Sequence, residues 1–218
     1  MNAWMVWQIV DSGFPTGGFA HSWGLEAAWQ SGEVTGDAEL RQFLRDMISQ
    51  VGHASLPFVT AAYADVARLQ ELDALSDVFL TNVVANRASR VQGGALLATC
   101  ARTWPRPAMA TLEQRSRALC RHAAPIFGAV MRVLDIPLQE TQRMFLFQAG
   151  RSVLAAAVRL GIVGSYRAQR LQHECSGDLD SVLERCGGLT DAEVAQTAPL
   201  IDVLQAAHDR LYSRLFQS

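Results

Sequence analysis

Apolar residues recur along most of the chain at the three- and four-residue spacing of a helix, and no convincing two-residue alternation of a strand is found. After Asp37 they form one continuous stripe, at Leu40, Phe43, Leu44, Met47, Ile48 and Val51. Similar patterns predict helices over residues 57–69, 74–85, 86–102, 111–132, 137–160 and 199–215. The connections are short, so we predict one all-α globular domain over residues 1–218, with eight to ten helices.

Composition narrows the functional classes. The 218 residues carry a net charge of −2 with no charge run, which disfavours nucleic acid as a partner. All 19 basic residues are arginine, and the lack of lysine excludes a P-loop lysine and a Schiff-base lysine. No basic leader and no long apolar run occur, so we expect neither a signal peptide nor a membrane span, and a cytoplasmic location.

Cysteine and histidine give weak signals. The four cysteines show no C-x-x-C spacing and are predicted to be free thiols. The five histidines form no H-x-x-x-H pair, and the one cluster in sequence is His173-Glu174-Cys175. That cluster supports an alternative function, a stand-alone all-α metal-dependent hydrolase. Neighbouring residues on a helix point about 100° apart, however, and rarely close around one ion.

The most distinctive segment is a glycine-rich run from Asp11 to Glu26. Gly13 and Gly18 have the spacing of a phosphate-binding loop, but Phe19 and Ala20 stand where lysine and serine or threonine are needed. We therefore expect no nucleotide site in this run. For the chain as a whole we expect no catalytic residue and no metal or other cofactor site. The aromatic side chains of this run suit either a binding surface or a plug in the core, and the spacing does not decide between them.

Four segments resemble the UreF family of urease accessory proteins. They are the run DSGFPTGGFAHSWGLEAA, the run ANRASRVQGGALL at residues 85–97, and two late blocks at residues 152–172 and 211–218. Residues 100–137 show no such resemblance. The resemblance implies an all-α homodimer without catalytic activity of its own. It also implies a scaffold that bridges UreD (also called UreH) and the GTPase UreG, which binds the GTP, so that nickel is inserted into apo-urease.

This resemblance, with the residue chemistry, gives three groups of partner-binding candidates. Those at the N-terminus are Asp11, Ser12, Phe14, Pro15, Gly17, Phe19, His21, Ser22 and Glu26. Those on the predicted helix 86–102 are Asn86, Arg87, Arg90 and Gln92, and the two arginines are candidate arginine fingers toward UreG. Those at the C-terminus are Tyr212, Arg214 and Phe216, which either dock UreD or fold back onto the core.

Overall fold

The computed structural model describes residues 3–217 and contains twelve α-helices and no strand in that range. The helices are α1 (Ala3–Val10), α2 (Leu25–Gln30), α3 (Asp37–Ala54), α4 (Leu56–Ala64), α5 (Leu69–Phe79), α6 (Val83–Thr103), α7 (Pro107–Arg115), α8 (Ala123–Val133), α9 (Leu138–Arg159), α10 (Ser165–Glu174), α11 (Ser176–Cys186) and α12 (Pro199–Ala207). The all-α prediction is confirmed, although the described residues form more helices than the eight to ten expected.

Helices α3, α4, α8 and α9 form the centre of the fold. All six apolar residues of the stripe predicted for α3 are buried. Every residue of α8 from Pro125 to Met131 is buried as well, since other helices cover it on several sides. Gly128 lets α8 approach α4 closely, because a Cβ atom there would lie 2.1 Å from the backbone oxygen of Val59. The remaining helices surround this central group.

Several predicted helix boundaries are wrong, since α4, for example, ends at Ala64 and not at residue 69. A local cap explains one of the others, and a left-handed residue marks another. In place of the predicted helices 74–85 and 86–102, the structure has α5 and α6. Helix α6 begins after Asn82, because the Asn82 side chain accepts hydrogen bonds from the backbone N–H groups of Val84 and Ala85 and so caps the helix. The predicted helix 111–132 is divided into α7 and α8. Arg121 separates them in a left-handed conformation, with φ 64°. Helices α1, α10 and α11 were not predicted.

The end of the chain also departs from prediction. Helix α12 ends at Ala207, a 3₁₀ turn covers His208–Arg210, and the residues that follow are not helical. We call residues 211–217 the C-terminal tail. The predicted continuous helical face to Leu215 is therefore wrong, because the backbone N–H groups of Leu215 and Phe216 donate to the distant Glu26 carboxylate rather than to preceding carbonyls. Among the described residues, no helix has the length and apolar character needed to cross a membrane.

Candidate partner-binding site

Residues 11–24, the N-terminal loop, connect α1 to α2 in a conformation that requires glycine at two positions. Gly17 and Gly24 have φ values of 75° and 84°, in the left-handed region. A Cβ atom at Gly24 would also lie 3.1–3.2 Å from Gln205 on α12. Helices α6 and α9 hold the loop from outside, since Thr99 donates a hydrogen bond to the Pro15 carbonyl (2.8 Å) and Arg159 donates to the Phe19 carbonyl. The loop is thus fixed against three helices.

The aromatic residues of the N-terminal loop divide between the core and the surface. Phe14 is half-buried and stacks on Trp104 with 5.6 Å between ring centroids, and Trp23 also packs against the core. Phe19 is 73% exposed, as is much of Trp7 on the preceding helix. Phe14 and Trp23 therefore anchor the loop, whereas Phe19 faces solvent. Of the other candidates here, Asp11, Ser12 and Pro15 are exposed and Gly17 is half-buried.

A cavity of about 860 Å³ lies behind the N-terminal loop. Phe14, His21 and Trp23 line one part of it, and Ser89 and His122 line another. Gln92, one of the candidates on α6, is half-buried and also lines it. The loop therefore forms part of the wall of a partly open cavity, whose size is that of ligand sites in other proteins.

His21, Ser22 and Glu26 are buried at the end of this loop and the start of α2. The Glu26 carboxylate accepts hydrogen bonds from the backbone N–H groups of Leu215 (2.6 Å) and Phe216 (3.1 Å). It also pairs with the Nε2 atom of the fully buried His208, at 3.0 Å. In this conformation Glu26 binds the protein's own C-terminal tail, which gives it a structural role inside the chain.

His21 is buried in a setting that favours its neutral form. Burial lowers its pKa from 6.5 to about 4, with further lowering by the charges of Arg87 and His208. As the pH is lowered, His21 therefore takes up a proton at a higher pH in the unfolded chain than in the folded chain. The contribution of neutral His21 to the free energy of unfolding is therefore fully present above pH 6.5 and is lost as the pH drops toward 4.

We expect the free energy of unfolding to decrease by about 1.4 kcal/mol per pH unit in this window because of His21. Urea denaturation of the wild type and of His21→Gln, at about pH 7 and about pH 5, measures the contribution as the difference between the two slopes. Asp77 does not change its charge in this pH range, because hydrogen bonds from Arg90, Asn86 and His122 hold the pKa of its carboxyl group well below 3.8 in the folded chain. Equal slopes for the two proteins would contradict the expectation.

The C-terminal tail has one buried and one fully exposed aromatic residue. The ring of Phe216 is buried, and the guanidinium of Arg159 lies 4.2 Å from its centroid. The N–H group of Gln217 donates to the Ala20 carbonyl at 2.8 Å, and Gln30 donates to the Ser213 carbonyl at 2.9 Å. Tyr212 is fully exposed. Phe216 thus fixes the tail, and Tyr212 is held at a defined place on the surface.

The arginines of the candidate groups are paired with carboxylates. Arg87 makes a two-pronged contact with Asp209, at 2.8 and 3.1 Å, and Arg214 contacts the same carboxylate at 3.3 Å. Arg90 pairs with Asp77, to which Asn86 also donates a hydrogen bond. An arginine finger needs a guanidinium that can reach the partner's nucleotide. Arg87 or Arg90 would have to leave its carboxylate to do this.

The cluster His173-Glu174-Cys175 does not form a metal site in the structure. Glu174 pairs with Arg41 and Arg167, His173 is exposed, and Cys175 is buried with its thiol donating to the Gln172 carbonyl. Within residues 3–217 the three side chains are not grouped around a common point that an ion could occupy. The alternative of a hydrolase built on them is therefore not supported. The four cysteines are free thiols, as predicted.

Several residues that shape this site were not predicted. Arg159 and His208 lie 140 and 182 residues from the groups they contact, Phe19 and Glu26. No local sequence pattern identifies such distant pairs. The one available signal is that Arg159 lies within the block 152–172, and His208 just before the block 211–218, both of which carry the family resemblance.

Comparison with known proteins agrees with the resemblance. A model of the UreF family matches residues 34–176, including residues 100–137, where the sequence motifs gave no resemblance. Urease accessory protein F of Oryza sativa subsp. indica is 39% identical over 98% of this chain and 84% of its own length, and that of Arabidopsis thaliana is 39% identical over 99% and 92%. Urease accessory protein UreF of Trichodesmium erythraeum is 30% identical over 96% and 94%. The chain therefore belongs to the UreF family of urease accessory proteins.

Proposed function

We propose that this protein is a non-catalytic scaffold in the maturation of urease. As a homodimer it bridges UreD (UreH) and the GTPase UreG, and the complex inserts nickel into apo-urease while UreG hydrolyses GTP. Membership of the UreF family supports the maturation role. The bridging role is supported by one feature of the structure, an exposed aromatic side chain on a chain end that is itself held in place.

That feature is Tyr212 on the C-terminal tail. A fully exposed tyrosine makes no contribution to the core, yet the backbone that follows it, at Ser213 and Leu215, is hydrogen-bonded to the N-terminal half of the chain. Tyrosine and arginine are the side chains that most often contribute binding energy at protein interfaces. A tail fixed in advance also loses little conformational entropy on binding. We therefore assign Tyr212, with the neighbouring Arg214, to the UreD contact.

For UreG we propose a contact at the exposed end of α6, where Arg87 and Arg90 lie. Their carboxylate partners keep both guanidinium groups oriented at the surface. This arrangement supports docking and modulation of UreG through the arginines more readily than direct insertion into its nucleotide site.

The UreD contact is tested by Tyr212→Ala in cells that co-express UreD and UreG. Truncating an interface anchor costs about 2 kcal/mol, so we expect about a 30-fold weaker affinity for UreD and loss of the complex on purification. Tyr166→Ala is the matched control, because Tyr166 is also exposed but lies on α10. Both variants should keep the helical circular dichroism spectrum and the dimer. Capture of UreD by Tyr212→Ala at wild-type stoichiometry would refute the assignment.

A further inference from the structure

Asp77, Cys120 and His122 form a compact cluster that shares no residue with His173-Glu174-Cys175, and none of the sequence motifs pointed to it. One potential ligand atom of each, a carboxylate oxygen, a thiol sulfur and an imidazole nitrogen, lies within 4.8 Å of the other two. His122 is fully buried, whereas Asp77 and Cys120 are half-buried. The cluster therefore combines a rigid nitrogen donor with two groups that solvent can reach.

We propose that this cluster binds one divalent transition metal of the borderline class that includes Zn²⁺, Co²⁺ and Ni²⁺. Imidazole nitrogen and thiolate sulfur are the donors that such ions prefer, and a carboxylate oxygen completes a three-residue set. Three protein ligands with a water molecule as the fourth give the open tetrahedral arrangement of many zinc sites.

The loop that carries two of the ligands is built to keep them together. The Asp73 carboxylate accepts hydrogen bonds from the backbone N–H groups of Cys120 and His122, each at 2.7 Å. The residue between them, Arg121, has the left-handed φ of 64°, which is uncommon for a residue other than glycine. The Arg121 carbonyl packs directly on Gly93 of α6, where a Cβ atom would lie only 2.1 Å away. The spacing Cys120-x-His122 is thus fixed before any ion arrives.

The surrounding hydrogen bonds suit a bound metal. Ser89 lies 3.1 Å from the Nδ1 atom of His122, so it can orient the ring while Nε2 faces Asp77 at 3.1 Å. Hydrogen bonds from Arg90, Asn86 and His122 all go to one oxygen of Asp77, Oδ1. None of these three groups contacts Oδ2, which leaves the second oxygen for an ion.

When the metal ion binds, it replaces a proton on the cluster. The Cys120 thiol releases its proton to water and becomes a thiolate. In the tautomer that binds the metal, His122 carries its one ring proton on Nδ1 and donates a hydrogen bond to Ser89 Oγ, while Nε2 binds the ion in place of its contact with Asp77. Thiolate and carboxylate then neutralise the charge of the ion, and Arg90 keeps its contact with Oδ1.

The test uses the reduced, metal-free full-length protein and Co²⁺ as the probe, because a cobalt–thiolate bond gives a charge-transfer absorption band. We expect one Co²⁺ per chain with this band, and displacement of Co²⁺ by Zn²⁺. Cys120→Ser should lose the band and bind at least about 10-fold more weakly, and Ser89→Ala should weaken binding about 10-fold through the orientation of His122. Cys175→Ser is the matched control and should behave as the wild type.

The opposite results are equally defined. No thiolate band in the wild type, an unchanged band in Cys120→Ser, or loss of the band in Cys175→Ser would each overturn the proposal and leave the cluster as a structural network. Should Cys120→Ser fold poorly, alkylation of the wild type followed by mass spectrometry decides instead, since bound Zn²⁺ should protect the Cys120 thiol. The isolated chain suffices for all of these measurements. Their failure would leave the proposed scaffold function untouched.

Discussion

Replacing Gly128 by alanine should lower the free energy of unfolding by about 3 kcal/mol, at the upper end of the usual cost of overpacking. The added methyl group would lie 2.1 Å from the Val59 oxygen and 3.0 Å from the Tyr63 nitrogen, both backbone atoms of α4. No side-chain rotation can relieve such a clash, so α8 and α4 must move apart. These helices lie at the centre of the core, and a loss of this size is a large part of the total stability of a typical domain.

Urea denaturation followed by circular dichroism measures this effect. Gly177→Ala is the matched control, because Gly177 lies within α11 and a Cβ atom there meets nothing within 4 Å. Alanine is the better helix former by about 1 kcal/mol, so the control should be neutral or slightly more stable. If Gly128→Ala unfolds at the same urea concentration as the wild type, the close contact between α4 and α8 is not a feature of the folded protein.

The sequence predicted best what depends on short-range periodicity. The six apolar positions of α3 have helical spacing, and all six are buried. The long helix α9, at Leu138–Arg159, lies close to its predicted range of 137–160. In both cases one face is apolar over several turns, so burial and helix period agree.

Prediction failed where a distant side chain decides the local backbone. The break between α7 and α8 depends on Asp73, 47 and 49 residues before the N–H groups that it binds. The C-terminal tail likewise depends on Glu26, 189 and 190 residues before its partners. Leu211 and Leu215 have helical spacing, but the carboxylate offers their segment a buried acceptor that a continued helix could not use. Periodicity carries no information about such a partner.

The candidate site shows the same division. Phe14, Phe19 and Trp23 were recognised as large side chains on a constrained loop, but the sequence could not separate the exposed Phe19 from the other two. Their different burial follows from the left-handed Gly17 and Gly24 and from contacts to α6 and α9. Tyr212 and Phe216 likewise differ by their place on the tail rather than by their type.

Replacing Glu26 by alanine should release the C-terminal tail from the body of the protein. The change removes the one acceptor shared by the Leu215 and Phe216 N–H groups and by His208, three donors that converge on a carboxylate only 2% exposed. Leaving a buried hydrogen-bonding group without its partner costs about 1–3 kcal/mol, and three such groups lose their partner here. Detachment of the tail limits this loss, because the freed N–H groups then reach water, so we expect about 2–3 kcal/mol.

Hydrogen exchange read by mass spectrometry over residues 211–217 measures the release directly. A loss of about 2–3 kcal/mol in local stability corresponds to roughly 30- to 150-fold faster exchange of the Leu215 and Phe216 amides. Glu33→Ala is the matched control, since Glu33 is exposed and follows the same helix α2. Exchange in this control should match the wild type. Unchanged exchange in Glu26→Ala would mean that other contacts, such as that of Arg159 with Phe216, hold the tail.

The same variant connects the fold to the proposed function. Glu26→Ala leaves Tyr212 in the sequence but no longer holds it in a fixed position, so capture of UreD should fall. The loss should be smaller than in a variant from which Tyr212 to Ser218 are deleted. Phe216→Ala should have a similar effect through the loss of its packing against Arg159. Both changes act by freeing the same C-terminal tail. The affinity of the double variant for UreD should therefore equal that of whichever single variant binds UreD with the lower affinity. Additive losses in the double variant would show instead that Glu26 and Phe216 act on UreD independently of the tail.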